Sequence, residues 1–255
     1  MLLGLIVSFL LGAIIGSFLN VLILRYNTGR SLGGRSGCLS CGKKLRWSEL
    51  IPIVSFLWQK GKCVGCRSRV SWQYPIVESS TGFLFALIFW SLAPTISLII
   101  FYWLVAGASV FIIAYDWKHQ IIPDRANYFL FGLAVLRVLF FGPSLIESVL
   151  TGLAFFLIFW ALWYFSDGRW LGFGDAKLVL SLGLLLGASA GVTALCLAFW
   201  LGAIIGLTLI AFGRVSKLLK LFKRYTMKSE VPFAPFLLLG AWLTILFQLN
   251  VFFFF

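Results

Sequence analysis

The run TISLIIFYWLVAGASVFIIAY, residues 95–115, is apolar for the length of a membrane crossing and is followed at once by Asp116. A crossing helix needs roughly 20 such residues. A carboxylate inside an apolar span costs roughly 3 kcal/mol by insertion scales, so an acid at its end is first read as functional. Seven further apolar runs flank this one, at about 2–24, 76–92, 126–141, 146–165, 176–190, 192–212 and 233–254. Several fall short of roughly 20 residues, which fits either a thin local bilayer or boundaries misplaced by a few positions.

Composition supports the same class. The chain is 61% hydrophobic and 11% charged, with a mean hydropathy of +1.02. A soluble domain carries roughly 25% charged residues. The 27 Phe and 11 Trp suit a lipid-facing surface with aromatic belts. The expectation is an all-α polytopic membrane protein with about eight transmembrane helices. The first run has no basic segment before it and no A-x-A-like cleavage site after it, so it reads as a retained helix.

Charge gives an orientation. The connection over 25–72 holds Arg25, Arg30, Arg35, Lys43, Lys44, Arg46, Lys60, Lys62, Arg67 and Arg69, against the single acid Glu49. With this connection in the cytoplasm, every second connection is cytoplasmic too. Lys118, Arg125, Arg169 and Lys177 then fall inside, with Arg214, Lys217, Lys220, Lys223, Arg224 and Lys228. Of the 21 Lys and Arg, Arg137 alone lies near the other face, as the positive-inside rule requires. Both termini come out on the outer side. The formal net charge of +13 is thereby explained without nucleic acid, and anionic lipid headgroups are the expected partner.

This topology uses only Lys and Arg, yet it brings three acids to one face. Asp116 ends the third helix, Asp124 precedes the fourth, and Asp175 opens the sixth. Two facing carboxylates can share a proton and activate water, as in aspartic proteases, and would titrate with two separated apparent values. The competing reading is helix capping, in which an Asp at a helix start accepts backbone N–H bonds and complements the dipole. Asp124 and Asp175 suit that role as well. In Gly172-Phe173-Gly174-Asp175 the glycines permit a tight turn and a close backbone approach, which could admit an extended peptide beside the carboxylate.

Cys38-Leu-Ser-Cys41 and Cys63-Val-Gly-Cys66 form two C-x2-C knuckles of zinc-ribbon type. Four thiolates leave no coordination position open, so the zinc would be structural. A reduced cytoplasmic setting argues against two disulfides, and a redox pair is the remaining alternative. Gly42 and Gly65 are expected to help the turns of the knuckles. A segment of this size with few large apolar side chains needs such a staple. Cys196, in the seventh helix, reads as a packing residue.

Taken in order, these stretches resemble the bacterial type IV prepilin peptidases, which are aspartic membrane proteases with a GxGD signature. The resemblance is carried by Gly16-Ser-Phe-Leu-Asn-Val21, the two knuckles, Glu49 to Phe56 and Tyr74-Pro-Ile-Val-Glu78. It continues through Asp116 to Asp124, Gly172 to Lys177, and Pro232-Phe-Ala-Pro-Phe236. Ala234 stands where the family usually has glycine. The implied organisation is a first transmembrane helix over 1–24, a cytoplasmic four-cysteine zinc-binding domain over 25–75, and a seven-helix membrane domain over 76–255 that carries the protease site.

The resemblance implies an endopeptidase that removes the basic leader of prepilin-like or pseudopilin proteins at the cytoplasmic face of the inner membrane. It also implies methylation of the new N-terminus from S-adenosylmethionine. The catalytic pair maps onto Asp116 and Asp175, and Asp124 is expected to cap a helix or to pair with Arg125 or another basic residue of the cysteine domain. Lys177 either favours ionisation of Asp175 or snorkels to headgroups. His119 reads as a hydrogen-bonding surface residue. Gly61 matches a glycine linked to methyl transfer, its alternative being a plain turn. Glu49 and Glu78 are candidates for contacting the cofactor or the substrate amine, or for pairing with an arginine. No G-x-G-x-x-G stands in a strand–helix setting. Three rivals remain: a peptidase without methyltransferase activity, a membrane-anchored zinc-ribbon module that binds a partner without catalysis, and a proton-coupled transporter. The last would set its acids near the bilayer midplane, often between inverted repeats.

Overall fold

Each apolar run forms a helix. The computed structural model describes residues 1–29, 31, 33–92, 95–141, 144–219 and 232–250, and the side chains of these except 209–210 and 212–219. Arg30, Lys220, Lys223, Arg224, Lys228 and the end of the last apolar run, 251–254, lie outside the described residues. Among the described residues the helices are α1 Leu2–Arg25, α2 Val54–Trp58, α3 Gln73–Leu92, α4 Ile96–His119, α5 Asp124–Phe140, α6 Leu145–Phe165, α7 Phe173–Leu186, α8 Ala188–Leu219 and α9 Ala234–Phe247. No strand occurs among them, only two isolated bridges, Gly37–Lys44 and Lys62–Arg69. Five helices have a stretch long and apolar enough to cross a membrane: α1, α3, α4, α6, and α8 over Ala188–Thr208. α5, α7 and α9 are shorter, at 17, 14 and 14 residues.

Several ends differ from the sequence-based boundaries, and those of α4 and α7 concern the site. α4 was expected to stop at 115, but it continues for another turn to His119. Lys118 and His119 in that turn complement the negative end of the helix dipole, and the His119 ring stacks on Tyr115 at 4.4 Å. α7 was expected from 176, but it begins at Phe173 and ends at Leu186, where Gly187 takes φ +76°. Both aspartates therefore lie within helical turns.

The chain packs as two compact units, Met1–Ala114 and Tyr115–Phe255. In the first, α1 lies along α3. Gly12 and Gly16 form a small-x3-small pair on α1, the pattern that lets membrane helices approach closely. A Cβ at Gly12 would sit 2.7 Å from the Thr81 carbonyl, and one at Gly16 would sit 2.8 Å from Glu78 Cα. Trp103 of α4 stacks on Phe85 of α3 at 5.1 Å and donates its indole N–H to the Phe85 carbonyl at 3.1 Å. Between α1 and α3, residues 26–72 carry the cysteines, and among the described residues of this segment only Phe56 and Cys63 are buried.

In the second unit α7 is central and packs against α5, α6, α8 and α9. Ten of its 14 residues are buried, Asp175 among them. Its length, about 21 Å at 1.5 Å per residue, falls well below a hydrocarbon core of about 30 Å. α6 and α7 cross where Gly152 meets Gly183.

Candidate aspartate site and four-cysteine cluster

The second unit holds Asp116, Asp124 and Asp175. Asp116, in the last turn of α4, is 5% exposed, and Asp175, in the first turn of α7, is 8% exposed. Each meets a helix start. Ala234, the first residue of α9, donates its N–H to the Asp116 carboxylate. Gly172 donates its N–H to Asp175 Oδ2 at 3.1 Å, while Asp175 returns its own N–H to the Gly172 carbonyl at 3.1 Å. The two carboxyl groups lie close enough to act on one another electrostatically. Asp175 thus makes the local cap bond that the capping reading expects, with Asp116 within electrostatic range of it.

The glycines beside Asp175 serve different ends. A Cβ at Gly174 would sit 3.2 Å from Ile122 Cβ, so its bare face is filled by the loop before α5 and not by free space. At Gly172 the nearest atom is Asp175 Oδ2, at 3.4 Å, so the opening there faces the carboxylate.

Among the described residues of the second unit, the ion-pair partner of Asp124 is Lys177 and not Arg125. Its Oδ1 receives Lys177 Nζ at 2.7 Å, and the same ammonium sits 5.0 Å from the Phe173 ring centroid and 5.9 Å from that of Tyr128. Lys177 is therefore held on protein partners, which corrects the expectation that it snorkels. The pair ties the first turn of α5 to that of α7, beside Asp175. His119 is exposed and stacked on Tyr115.

In the first unit, the four thiols of Cys38, Cys41, Cys63 and Cys66 lie within 4.8 Å of one another. Cys38 Sγ and Cys66 Sγ are 3.8 Å apart. That is far beyond a disulfide bond of about 2.05 Å and equals the edge of a tetrahedron with metal–sulfur bonds of about 2.3 Å. The cluster could hold a metal ion. Two matching turns build it. Cys38 donates its N–H to the Lys43 carbonyl and accepts that of Gly42; Cys63 does the same with Ser68 and Arg67. Gly42 and Arg67 occupy the same left-handed position, at φ +71° and +60°. Gly65 lies in the turn of the second knuckle and donates its N–H to Cys63 Sγ at 3.4 Å, and a Cβ there would meet Lys43 Cδ at 3.1 Å. The Cys38 thiol is pulled down to about 6 by the backbone N–H of Cys41, then that of Ser40 and the hydroxyl of Ser68, whereas the Cys41 thiol is pushed up to about 11 against its neighbouring thiols. Ser68, 3.1 Å from Cys66 Sγ, was not foreseen.

Glu49 accepts Lys43 Nζ at 2.8 Å and the Arg46 N–H at 2.7 Å. Glu78, on α3, is 6% exposed; it accepts the Ile53 N–H at 2.7 Å and the hydroxyl of Ser17. Ile53 has φ +63°, an unusual state for a β-branched residue, and the carboxylate clamps it there. Asn20, fully buried, donates to the Tyr74 carbonyl at 3.2 Å. The first-helix stretch 16–21 thus binds the stretch 74–78 through Gly16, Ser17 and Asn20. Gly61 is a turn residue with φ +65°. Among the described residues no hydrogen bond or ion pair joins Gly61, Glu49 and Glu78.

Residues 10–92 match the Bacterial Peptidase A24 N-terminal domain family, and residues 98–207, which hold both buried aspartates, match the Type IV leader peptidase family. The chain is 33% identical over 244 residues to the prepilin leader peptidase/N-methyltransferase of Bacillus subtilis (strain 168), covering 94% of this chain and 93% of that protein. It is 31% identical over 220 residues to the protein of that name from Aeromonas hydrophila, covering 83% and 71%. It is 26% identical over 271 residues to the one from Pseudomonas aeruginosa, covering 94% and 89%. No solved structure matches. The chain belongs to the type IV leader peptidase family, and its several apolar helices fit a multi-pass membrane protein.

Proposed function

We propose that this chain is a membrane aspartic endopeptidase that cleaves the basic leader of type IV prepilin-like proteins and then methylates the new N-terminus. Asp116 and Asp175 are its catalytic pair. The observation that carries this reading is the pair itself: two buried carboxyls within electrostatic reach, each accepting a backbone N–H at the start of a helix. One aspartate, ionised, takes a proton from water. The other, protonated, donates a hydrogen bond to the scissile carbonyl, and the hydroxide equivalent attacks its carbon. The departing amine takes up a proton from the pair, which restores the starting state. α7 is shorter than the hydrocarbon core is thick, so its crossing leaves room for water at its start.

The proposed topology has eight crossings in a bacterial inner membrane, with both termini outside and the 25–75 domain and the aspartates on the cytoplasmic side. It is supported by the distribution of Lys and Arg and by the five long apolar helices. The domain limits 1–24, 25–75 and 76–255 belong to the same reading. Zinc is the proposed metal, held by the sulfurs of Cys38, Cys41, Cys63 and Cys66; four soft thiols in tetrahedral spacing suit it, and its contribution is to folding. S-adenosylmethionine is the proposed methyl donor. The carboxylates of Glu49 and Glu78 are already occupied by protein donors, so these residues and Gly61 are assigned to the shape of the cysteine domain on which methyl transfer depends. No chemical step is assigned to them.

The peptidase is tested in membranes with a prepilin reporter. Asp116→Asn and Asp175→Asn should each abolish cutting while the chain still accumulates. Normal cleavage by either variant would refute the pair and favour a non-catalytic module.

A further inference from the structure

The cysteine domain carries a cleft that neither the aspartates nor the thiols use. Its volume is about 460 Å³. Phe56 and Gly61 form the floor, and a Cβ on Gly61 would press on the Phe56 ring at 3.1 Å. Lys60, Lys62 and Arg69 stand around it, all exposed, and none has an ion-pair or hydrogen-bonded side-chain partner among the described residues. The one acid of the 25–72 stretch, Glu49, is engaged by Lys43. Three uncompensated cations on one concave surface call for an anionic ligand with more than one negative oxygen. S-adenosylmethionine, whose sulfonium and ammonium outweigh its carboxylate, is the wrong sign for this cleft.

The rim says which anion. Leu57 and Trp72 line the cleft with the cations and are 64% and 68% exposed, and the Trp72 ring lies tilted against Phe56, with centroids 4.9 Å apart. Exposed Trp together with Lys and Arg is the composition of the membrane interface. Trp72 also directly precedes α3, one of the five helices able to span. The cleft therefore opens where that helix enters lipid. We propose that it binds the phosphate headgroup of an anionic phospholipid, with Lys60, Lys62 and Arg69 on the phosphate and Trp72 and Leu57 against the glycerol and first methylenes. This would dock the domain on the membrane that α3 enters. The inference rests on the membrane placement of α3 and is independent of the peptidase chemistry.

The test is native mass spectrometry of the full-length protein in detergent, titrated with dioleoyl phosphatidylglycerol or dioleoyl phosphatidylcholine. Wild type should retain one tight phosphatidylglycerol and no phosphatidylcholine. A Lys60→Gln, Lys62→Gln, Arg69→Gln variant should bind phosphatidylglycerol about 100-fold more weakly. A charge-matched Arg35→Gln, Lys44→Gln, Arg169→Gln variant, which leaves the knuckle turns intact, should bind it as wild type does. Trp72→Ala, which leaves every cation in place, should also weaken binding and keeps the test decisive if the triple variant misfolds. Equal weakening in both triple variants would reduce the site to general basic charge. Displacement of the lipid by inorganic phosphate or by S-adenosylmethionine would assign the cleft to a soluble ligand. Either result would overturn the proposal.

Discussion

The segment 26–72 and the helix α7 solve opposite problems. Among its described residues the segment buries only Phe56 and Cys63, and its order comes from two backbone turns, one carboxylate clamp and four converging thiols. α7 buries ten of its 14 residues among four other helices, and its order comes from packing. In the first region the chemical groups are the scaffold; in the second the scaffold exists before the chemical groups are counted. A region without a core depends on its ligand to fold. A buried helix can carry an expensive carboxylate because its other contacts are numerous.

Metal removal should therefore produce the largest contrast. A strong chelator, or Cys63→Ser, should abolish amide exchange protection over 38–69 while protection in α7 persists. Binding energies of structural zinc, roughly 10–16 kcal/mol in small peptides, exceed anything else that could hold this segment. Equal loss of protection in α7 would break the comparison. The converse experiment is Gly183→Ala. A Cβ at Gly183 would sit 2.7 Å from Gly152 Cα, which is backbone and has little room to give. Overpacking of this kind costs about 1–3 kcal/mol, and a lowered melting temperature with unchanged metal content would place the damage in the helical unit alone.

The contrast also decides what could be read from the sequence. Apolar runs announce helices because lipid forces the backbone to satisfy itself, so all eight runs appear as helices close to the expected positions. The knuckles announce the thiol cluster because four ligands must fall at fixed short spacings. Helix ends were less legible. α4 gains a turn from a ring stack and a dipole contact, and α7 gains three residues by capping itself with Asp175, neither of which alters an apolar pattern. Partners far apart in sequence were invisible: nothing in Asp124 points to Lys177, 53 residues on. Ile53 gives no sign of its left-handed backbone, because the reason is a carboxylate on another helix. Gly65 does lie in the second knuckle's turn, but nothing in the sequence marks Arg67 as the residue that takes its left-handed position.

Between these extremes lies the Asp124–Lys177 pair, which is charged like the cysteine domain but sits at the edge of the packed unit. Its side chains are 59% and 25% exposed, so its direct worth is about 1 kcal/mol or less. Its placement matters more, since it fixes the first turn of α7 next to Asp175. Lys177→Gln should leave the melting temperature nearly unchanged and slow reporter cleavage several-fold. The exchanged variant Asp124→Lys, Lys177→Asp should recover part of that rate. A rate as low as that of Asp175→Asn would mean that Lys177 takes part in the chemistry itself.

The smallest expected effect belongs to Glu49 and acts only on the cysteine domain. The Arg46 N–H, then the Lys43 ammonium, hold its carboxyl below the usual carboxylate range. A depressed folded value means that the stabilisation is fully present above the unfolded value and is lost as pH falls through the folded one. Acid also protonates the thiols, so wild type alone cannot isolate this contribution. The difference between wild type and Glu49→Gln can, because both lose their thiolates alike. Exchange protection over 38–69 should be lower in the variant at pH 7, and the gap should close below the normal carboxylate range as the wild-type carboxylate takes up its proton. A gap that stayed constant through that range would mean that the side chain acts by its shape, and that the charge on Glu49 contributes nothing to a domain held by sulfur.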